Sequence, residues 1–79
     1  AEPARNAQNG IKVLVKFRLL ERKRIALSEL RRWMREVPLL AISNRTHLQM
    51  DDDALANWTA AQLVKAGAAV IEDGMLVDR

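Results

Sequence analysis

The clearest apolar pattern lies near the middle of the chain. Four apolar residues recur there at positions i, i+3, i+4 and i+7: Leu30, Trp33, Met34 and Val37. Such a stripe predicts an amphipathic helix. We expect the hydroxyl of Ser28 to cap its N-terminus, and we expect Val37 to be its last residue because Pro38 disfavours helical backbone in the residue before it.

The segment 11–19 allows two interpretations. Every second residue from Ile11 to Leu19 is apolar, and this alternation is typical of a half-buried strand. In a helix, Leu14, Phe17 and Leu20 would instead cover a wide apolar face. A strand here, with a second strand over residues 40–50, predicts an open β-α-β-α-β-β sheet. A helix here predicts three helices that precede a β-hairpin.

The last third of the chain predicts a helix followed by a hairpin. Three aspartates at residues 51–53 supply an N-cap and suit the positive end of a helix dipole. Gly67 suits the position just after the last turn. The expected buried face consists of Leu55, Ala56, Thr59, Leu63 and Ala66. Two short apolar runs then flank Asp73-Gly74, a dipeptide that favours a tight β-turn.

Two segments have weaker patterns. Residues 1–9 contain Pro, Asn and Gln without an apolar period, so we expect a flexible N-terminal tail and a single domain over residues 10–79. In residues 39–50 apolar and polar side chains share the even positions. We expect an irregular or weakly extended connection there.

The order of these elements resembles that of winged helix-turn-helix domains, which bind DNA. The stretch LLERKRIALSELRRW is similar to their opening, in which a first helix ends in a basic turn, residues like 25–27 form a short strand, and Ser or Thr caps the second helix. The stretch AAQLVKAGAAVIEDGMLV is similar to their close, in which a third helix ends at glycine and a two-stranded wing follows. The resemblance implies an α+β fold with three helices and a C-terminal β-hairpin wing.

The composition excludes several kinds of chemistry. The chain has 49% hydrophobic and 29% charged residues and no cysteine, so disulfides, thiolate metal sites and cysteine nucleophiles are absent. His47 is the only histidine and predicts no metal site. No glycine-rich phosphate loop, nucleophile elbow or paired carboxylates are present. We expect no enzyme, no cofactor and no metal.

The hydropathy of the chain predicts a soluble protein. No apolar run approaches the roughly 20 residues of a transmembrane helix, and residues 1–10 contain no apolar signal segment. We therefore expect a cytoplasmic protein with no membrane partner.

Charge is distributed unevenly within the net value of +3. Residues 1–47 contain eleven Lys or Arg and four Asp or Glu, whereas residues 48–79 contain two and six. A basic first part indicates contact with a polyanion. The leading hypothesis is a small DNA-binding protein, a transcriptional or mobile-element regulator that contacts phosphates through its first half. The candidate nucleic-acid-binding residues are Arg22, Lys23, Arg24, Arg31, Arg32, Arg35, Asn44, Arg45 and His47.

An alternative hypothesis belongs to another functional class. Winged-helix domains lay their third helix in the DNA major groove. The corresponding helix here begins with three aspartates, and the corresponding wing contains Glu72 and Asp73. Carboxylates repel phosphates. A protein-protein interaction module, either a degenerate winged helix or a small α/β adaptor, would dock through this acidic helix and wing or through the basic second helix. Trp58 is the candidate contact for a protein partner or a homodimer.

Overall fold

The first helix, α1, spans Glu2–Arg22 in the computed structural model, which describes residues 2–79. Its alternating apolar residues divide between two faces. Ile11, Val15 and Leu19 are spaced four residues apart, fall on one face and are buried in the core. Val13 and Phe17, which lie between them in the sequence, are exposed on another face. A period of two therefore belongs here to a helix with one buried and one exposed apolar stripe.

Residues 2–9 of the expected flexible tail belong to α1; residue 1 lies outside the described residues. Pro3 occurs in the first turn, where the absence of a backbone N–H removes no helical hydrogen bond. Ala4, Ala7 and Gln8 have favourable helix propensities. The structure thus has regular helix over residues 2–9, where we expected none.

A short strand, β1 (Arg24–Ala26), connects α1 to the second helix, α2 (Leu27–Glu36). The helix begins one residue before Ser28, so Ala26 is the N-cap and no side chain caps it. The expectation that Ser28 is the cap is therefore wrong. The helix also ends one residue before the expected Val37, because α2 ends at Glu36 and Val37, which precedes Pro38, has extended backbone.

Helical structure continues through the segment that we expected to be irregular or extended. Helix α3 spans Pro38–Ser43, and a π-helical turn follows over Asn44–Leu48. Pro38 is favourable at the start of α3 because its fixed φ suits a first helical turn. Since residues 11–19 and 40–48 are all helical, the alternative β-α-β-α-β-β sheet is wrong.

The next helix, α4 (Asp52–Lys65), agrees with the sequence pattern. The carboxylate of Asp51 accepts hydrogen bonds from the backbone N–H groups of Asp53 and Ala54, at 3.1 and 3.3 Å. Beyond the C-terminal end, Gly67 has a φ of +74°, which explains why glycine is favourable there. Ala66, which we expected on the buried face, is exposed. Ala60 is buried instead.

The sheet contains three antiparallel strands. The hairpin of β2 (Ala69–Glu72) and β3 (Met75–Asp78) turns at Asp73 and Gly74, whose φ values are +50° and +71°. A two-residue turn with both φ values positive favours Asp-Gly. Strand β1 pairs with β3, so the strand order is β1-β3-β2. The α+β class is confirmed, whereas the α-helices over residues 2–79 number four and not the expected three, and the C-terminal hairpin belongs to a three-stranded sheet.

One hydrophobic core draws on every helix and strand. It contains thirteen buried apolar residues: Ile11, Val15, Leu19, Ile25, Leu30, Met34, Leu40, Leu55, Ala56, Ala60, Leu63, Ala69 and Leu76. Lys16 connects α1 to the sheet at the edge of this core. Its ammonium group donates to the carbonyl oxygen of Ala68 at 2.7 Å and to the Asp78 carboxylate at 2.5 Å. Lys16 thus joins α1 to both ends of the hairpin.

Candidate nucleic-acid interface

Two arginines, the candidate Arg22 and its neighbour Arg18, lie beside Trp33, where α1 meets α2. The guanidinium carbons of Arg18 and Arg22 lie 5.6 and 5.5 Å from the centre of the Trp33 ring, within cation–π range. Both guanidinium NH2 groups of Arg22 donate to the Glu29 carboxylate, a forked geometry that fixes the side chain. The hydrogen bond from Arg22 lowers the pKa of Glu29, and the hydrogen bond to Glu29 raises the pKa of Arg22.

Two further candidate arginines have carboxylate neighbours. Arg32 lies 3.3 Å from Glu36 one turn along α2, and both side chains are more than half exposed. Such an exposed pair contributes little to stability and separates readily. Arg35 lies 3.9 Å from Asp52 and so connects the end of α2 to the start of α4. Phosphate binding by either arginine has to compete with its carboxylate.

The remaining candidate cations form no salt bridge within the described part of the chain. In residues 2–79, no Asp or Glu lies within salt-bridge distance of Lys23, Arg24, Arg31 or Arg45. Lys23 lies in the turn between α1 and β1, where its φ is +71°. Arg24 is exposed on β1, and Arg31 is half-buried on α2. Arg45 is exposed on the π-helical turn, as is His47.

The side chain of Asn44 is bonded within the chain. It is only 7% exposed, and its side-chain amide makes two hydrogen bonds to the backbone of Met50. The Met50 N–H donates to Oδ1 at 2.9 Å, and Nδ2 donates to the Met50 carbonyl oxygen at 2.7 Å. Both polar groups of the Asn44 side chain are thus bonded within the chain, and contact of Asn44 with bases or phosphates stays a prediction. Its role is to hold the segment between the π-helical turn and α4.

A polar cleft lies beside this segment, between the end of α2 and the start of α4. Its lining includes Arg35, Arg45, Asp52 and Gln49. The cleft brings two of the predicted arginines, Arg35 and Arg45, from different helical segments to a shared concave surface. With two guanidinium groups and one carboxylate, the cleft carries net positive charge, which suits an anion.

Carboxylates occupy the surfaces that the winged-helix resemblance assigns to DNA. Asp51 and Asp53 are exposed at the start of α4, and Glu72 and Asp73 are exposed at the hairpin turn. These groups would repel phosphates. The cations that form no salt bridge lie elsewhere: on the turn before β1, on β1, on α2 and on the π-helical turn. The charges therefore do not favour the first turn of α4 as a phosphate-binding surface.

Trp58 is half-buried and packs against the core. Its ring lies 5.9 Å from the ammonium nitrogen of Lys12 on α1. The indole therefore contacts another helix of the same chain. Trp58 as a contact for a partner stays a prediction.

Sequence reasoning missed two features of the surface. Arg18 was not among the candidates, although it lies beside Trp33. The exposure of the apolar stripe of α1 was also missed, because the helical interpretation of residues 11–19 placed Leu14, Phe17 and Leu20 on one wide apolar face without separating its buried part from its exposed part. Spacing along a helix is the signal that identifies both: Arg18 and Arg22 are four residues apart, as are Val13 and Phe17.

No protein-family model, curated protein or solved structure matches this chain. Within residues 2–79, no three His, Asp or Glu side chains are grouped so that they could hold a metal ion. None of the helices in this part of the chain has the length and apolarity that crossing a membrane requires.

Proposed function

We propose that this chain is a small DNA-binding domain of the winged-helix type with a displaced contact surface. The order of elements supports the fold assignment. A helix, a short strand, a helix, a capped helix and a hairpin follow one another, and β1 joins the hairpin in one sheet. In this assignment α2 corresponds to the second helix of the winged-helix pattern and α4 to the third. Helix α3 and the π-helical turn are then an insertion between them.

The observation that carries the proposal is the set of four cations that form no salt bridge within residues 2–79: Lys23, Arg24, Arg31 and Arg45. Guanidinium and ammonium groups of this kind bind phosphate oxygens and release counterions from DNA. Arg45 also lines the polar cleft, in which Arg35 provides a second guanidinium group. The binding that follows from such contacts is to the phosphate backbone and is insensitive to base sequence.

Salt dependence tests this proposal quantitatively. Four phosphate contacts predict a slope of about −3.6 for log K against log salt concentration. Affinity for a labelled duplex of about 20 base pairs should then fall about 150-fold between about 50 and about 200 mM salt. Fluorescence anisotropy at several salt concentrations measures both quantities.

Charge-matched variants distinguish the proposed contacts from attraction by net charge. Arg31→Ala with Arg45→Ala should reduce the magnitude of the slope by about 1.8, because two contacts are lost. Arg5→Ala with Lys65→Ala removes the same charge outside the proposed surface and should leave the slope unchanged. Equal effects of the two pairs, or no binding at low salt by a protein with native circular dichroism, would contradict the proposal.

The exposed carboxylates support a second candidate function, a protein-interaction module that docks through the start of α4 and the hairpin turn. Asp53, Glu72 and Asp73 are exposed, and they are placed to meet a basic partner. The DNA titration separates the two candidates, because a module of this kind has no affinity for the duplex at low salt.

A further inference from the structure

An apolar stripe runs along the outside of α1. Val13, Phe17 and Leu20 are 51%, 61% and 44% exposed, and their spacing of four and three residues puts them on one face of the helix. Isolated exposed apolar residues are common, whereas a contiguous set indicates a contact surface. None of the candidate nucleic-acid-binding residues belongs to this stripe.

Helix α4 provides the opposite wall, so that the stripe forms one side of a groove. Gln62 and Leu63 line the groove from α4, and so does Ala66, which directly follows the helix. The groove is open along its length and has a volume of about 540 Å³. The stripe from Val13 to Leu20 is about 10 Å long, at a rise of about 1.5 Å per residue. The groove therefore matches about two turns of a docked helix.

Lysines make up the charged part of the groove lining: Lys12, Lys16 and Lys65. No Asp or Glu is among the described residues that line it. Lys16 is already bonded to Asp78, but no carboxylate in residues 2–79 lies within salt-bridge distance of Lys12 or Lys65. Lys12 lies over the Trp58 ring, which restrains its ammonium group beside the groove.

We propose that this groove binds an amphipathic helix of a protein partner, with acidic residues on both sides of a short apolar stripe. The apolar face would cover Phe17 and its neighbours, as in other helix-in-groove complexes. Flanking carboxylates would meet Lys12 on one side and Lys65 on the other. This complementarity selects an acidic helix over a basic one.

A second copy of the chain fits the groove poorly. A two-fold contact would place the same patch on both sides, so that Lys12 and Lys65 would face lysines. The acidic segments of this chain do not offer a suitable helix face either. The start of α4 has Ala54 as its exposed apolar residue, and the hairpin turn has Ile71. Neither segment supplies the two or three large anchors that fill such a groove.

Two designed peptides of about 14 residues test the proposal. Both carry leucines at i, i+4 and i+7; one has glutamates on both sides of this stripe, and the other has lysines. We expect the glutamate peptide to bind at least about tenfold more tightly in fluorescence anisotropy at low salt. The double variant Lys12→Glu with Lys65→Glu should reverse the order, because both flanking charges of the groove change sign.

Apolar variants provide the matched control. Phe17→Ala should weaken binding of the glutamate peptide at least about tenfold. Ile42→Ala removes a similarly exposed side chain outside the groove and should leave binding unchanged. Both side chains are exposed, so the fold is retained in both variants, and circular dichroism checks this.

Four outcomes would overturn the proposal. The first two are equal affinity for the two peptides and binding of neither. The third is a dimer in sedimentation analysis that Phe17→Ala dissociates, which would make a second copy the occupant. The fourth is Phe17-dependent cosedimentation with phosphatidylserine vesicles but no peptide binding, which would make a lipid surface the occupant.

Discussion

Replacing Asn44 with alanine should lower stability substantially while leaving DNA binding intact. The substitution removes two hydrogen bonds, of 2.9 and 2.7 Å, between the side-chain amide and the backbone of Met50. Each such bond contributes about 0.5–1.5 kcal/mol net, and an unpaired buried group costs more. Because Asn44 is buried and Met50 is half-buried, we expect a loss of about 2–3 kcal/mol in the free energy of unfolding. For a domain of this size the melting temperature should fall by about 10–20 °C.

Urea unfolding followed by tryptophan fluorescence measures this loss, and coincident circular dichroism transitions check two-state behaviour. Thr46→Ala is the control, since Thr46 is exposed in the same π-helical turn and should change stability by less than about 0.5 kcal/mol. The reasoning is refuted if Asn44→Ala is as stable as Thr46→Ala. It is also refuted if Asn44→Ala changes the salt slope of DNA binding.

Two other substitutions test α1 and its connection to the sheet. Gly10→Ala should raise the free energy of unfolding by about 0.5–1 kcal/mol, because Gly10 lies within α1 and an added Cβ meets no atom within 4 Å. Urea unfolding measures this change, and an unchanged free energy of unfolding would indicate that residues 2–10 are not helical. Lys16 donates a hydrogen bond that holds the pKa of Asp78 below its ordinary value of 3.8. The stability that this bond supplies is complete above the unfolded-state pKa and is lost as the pH falls through the lower folded-state value. Thermal melts between about pH 5 and about pH 2 should therefore show a smaller loss of stability for Asp78→Asn than for the parent protein, and equal losses would argue against the Lys16 contact.

Local signals predicted the C-terminal half of the fold well. Asp51 caps α4 and Gly67 follows it with positive φ, and Asp73-Gly74 forms the hairpin turn. Each feature depends on the conformational preferences of one or two residues, so a short stretch of sequence contains the whole signal. The start of α2 was displaced by two residues because β1 leads directly into it and leaves Ala26, rather than Ser28, as the N-cap.

The N-terminal half was harder to predict because its pattern fits two periods. The alternation from Ile11 to Leu19 matches a strand. However, Ile11, Val15 and Leu19 are four residues apart and so also share one face of a helix. Tertiary packing selects the helix, since Ile11, Val15 and Leu19 together enter the core. The segment 39–48 has no sustained period, and its helical structure depends on Pro38 and on the contact of Asn44 with Met50.

The candidate interface could be predicted only as a set of residue types. The sequence contains the nine candidates, but pairing with carboxylates divides them. The Arg32–Glu36 pair follows from a spacing of four residues on one helix, whereas the pairs of Arg22 and Arg35 depend on how helices meet. Arg35 lies beside Asp52 because α2 packs against α4. Glu29 reaches Arg22 because α1 and α2 converge at Trp33. These pairs leave Lys23, Arg24, Arg31 and Arg45 as the candidate cations that form no salt bridge within residues 2–79.

The central position of β3 has a consequence for synthesis on the ribosome. Ile25 of β1 pairs with Leu76 of β3, fifty-one residues later in the chain. At about 5–20 residues per second, translation delivers Leu76 between about 2.5 and 10 s after Ile25. During that interval β1 has no strand to pair with, and β2 lacks its only neighbour in the sheet. The helices can associate while the chain grows, whereas the sheet closes in a single late step once β3 has left the exit tunnel.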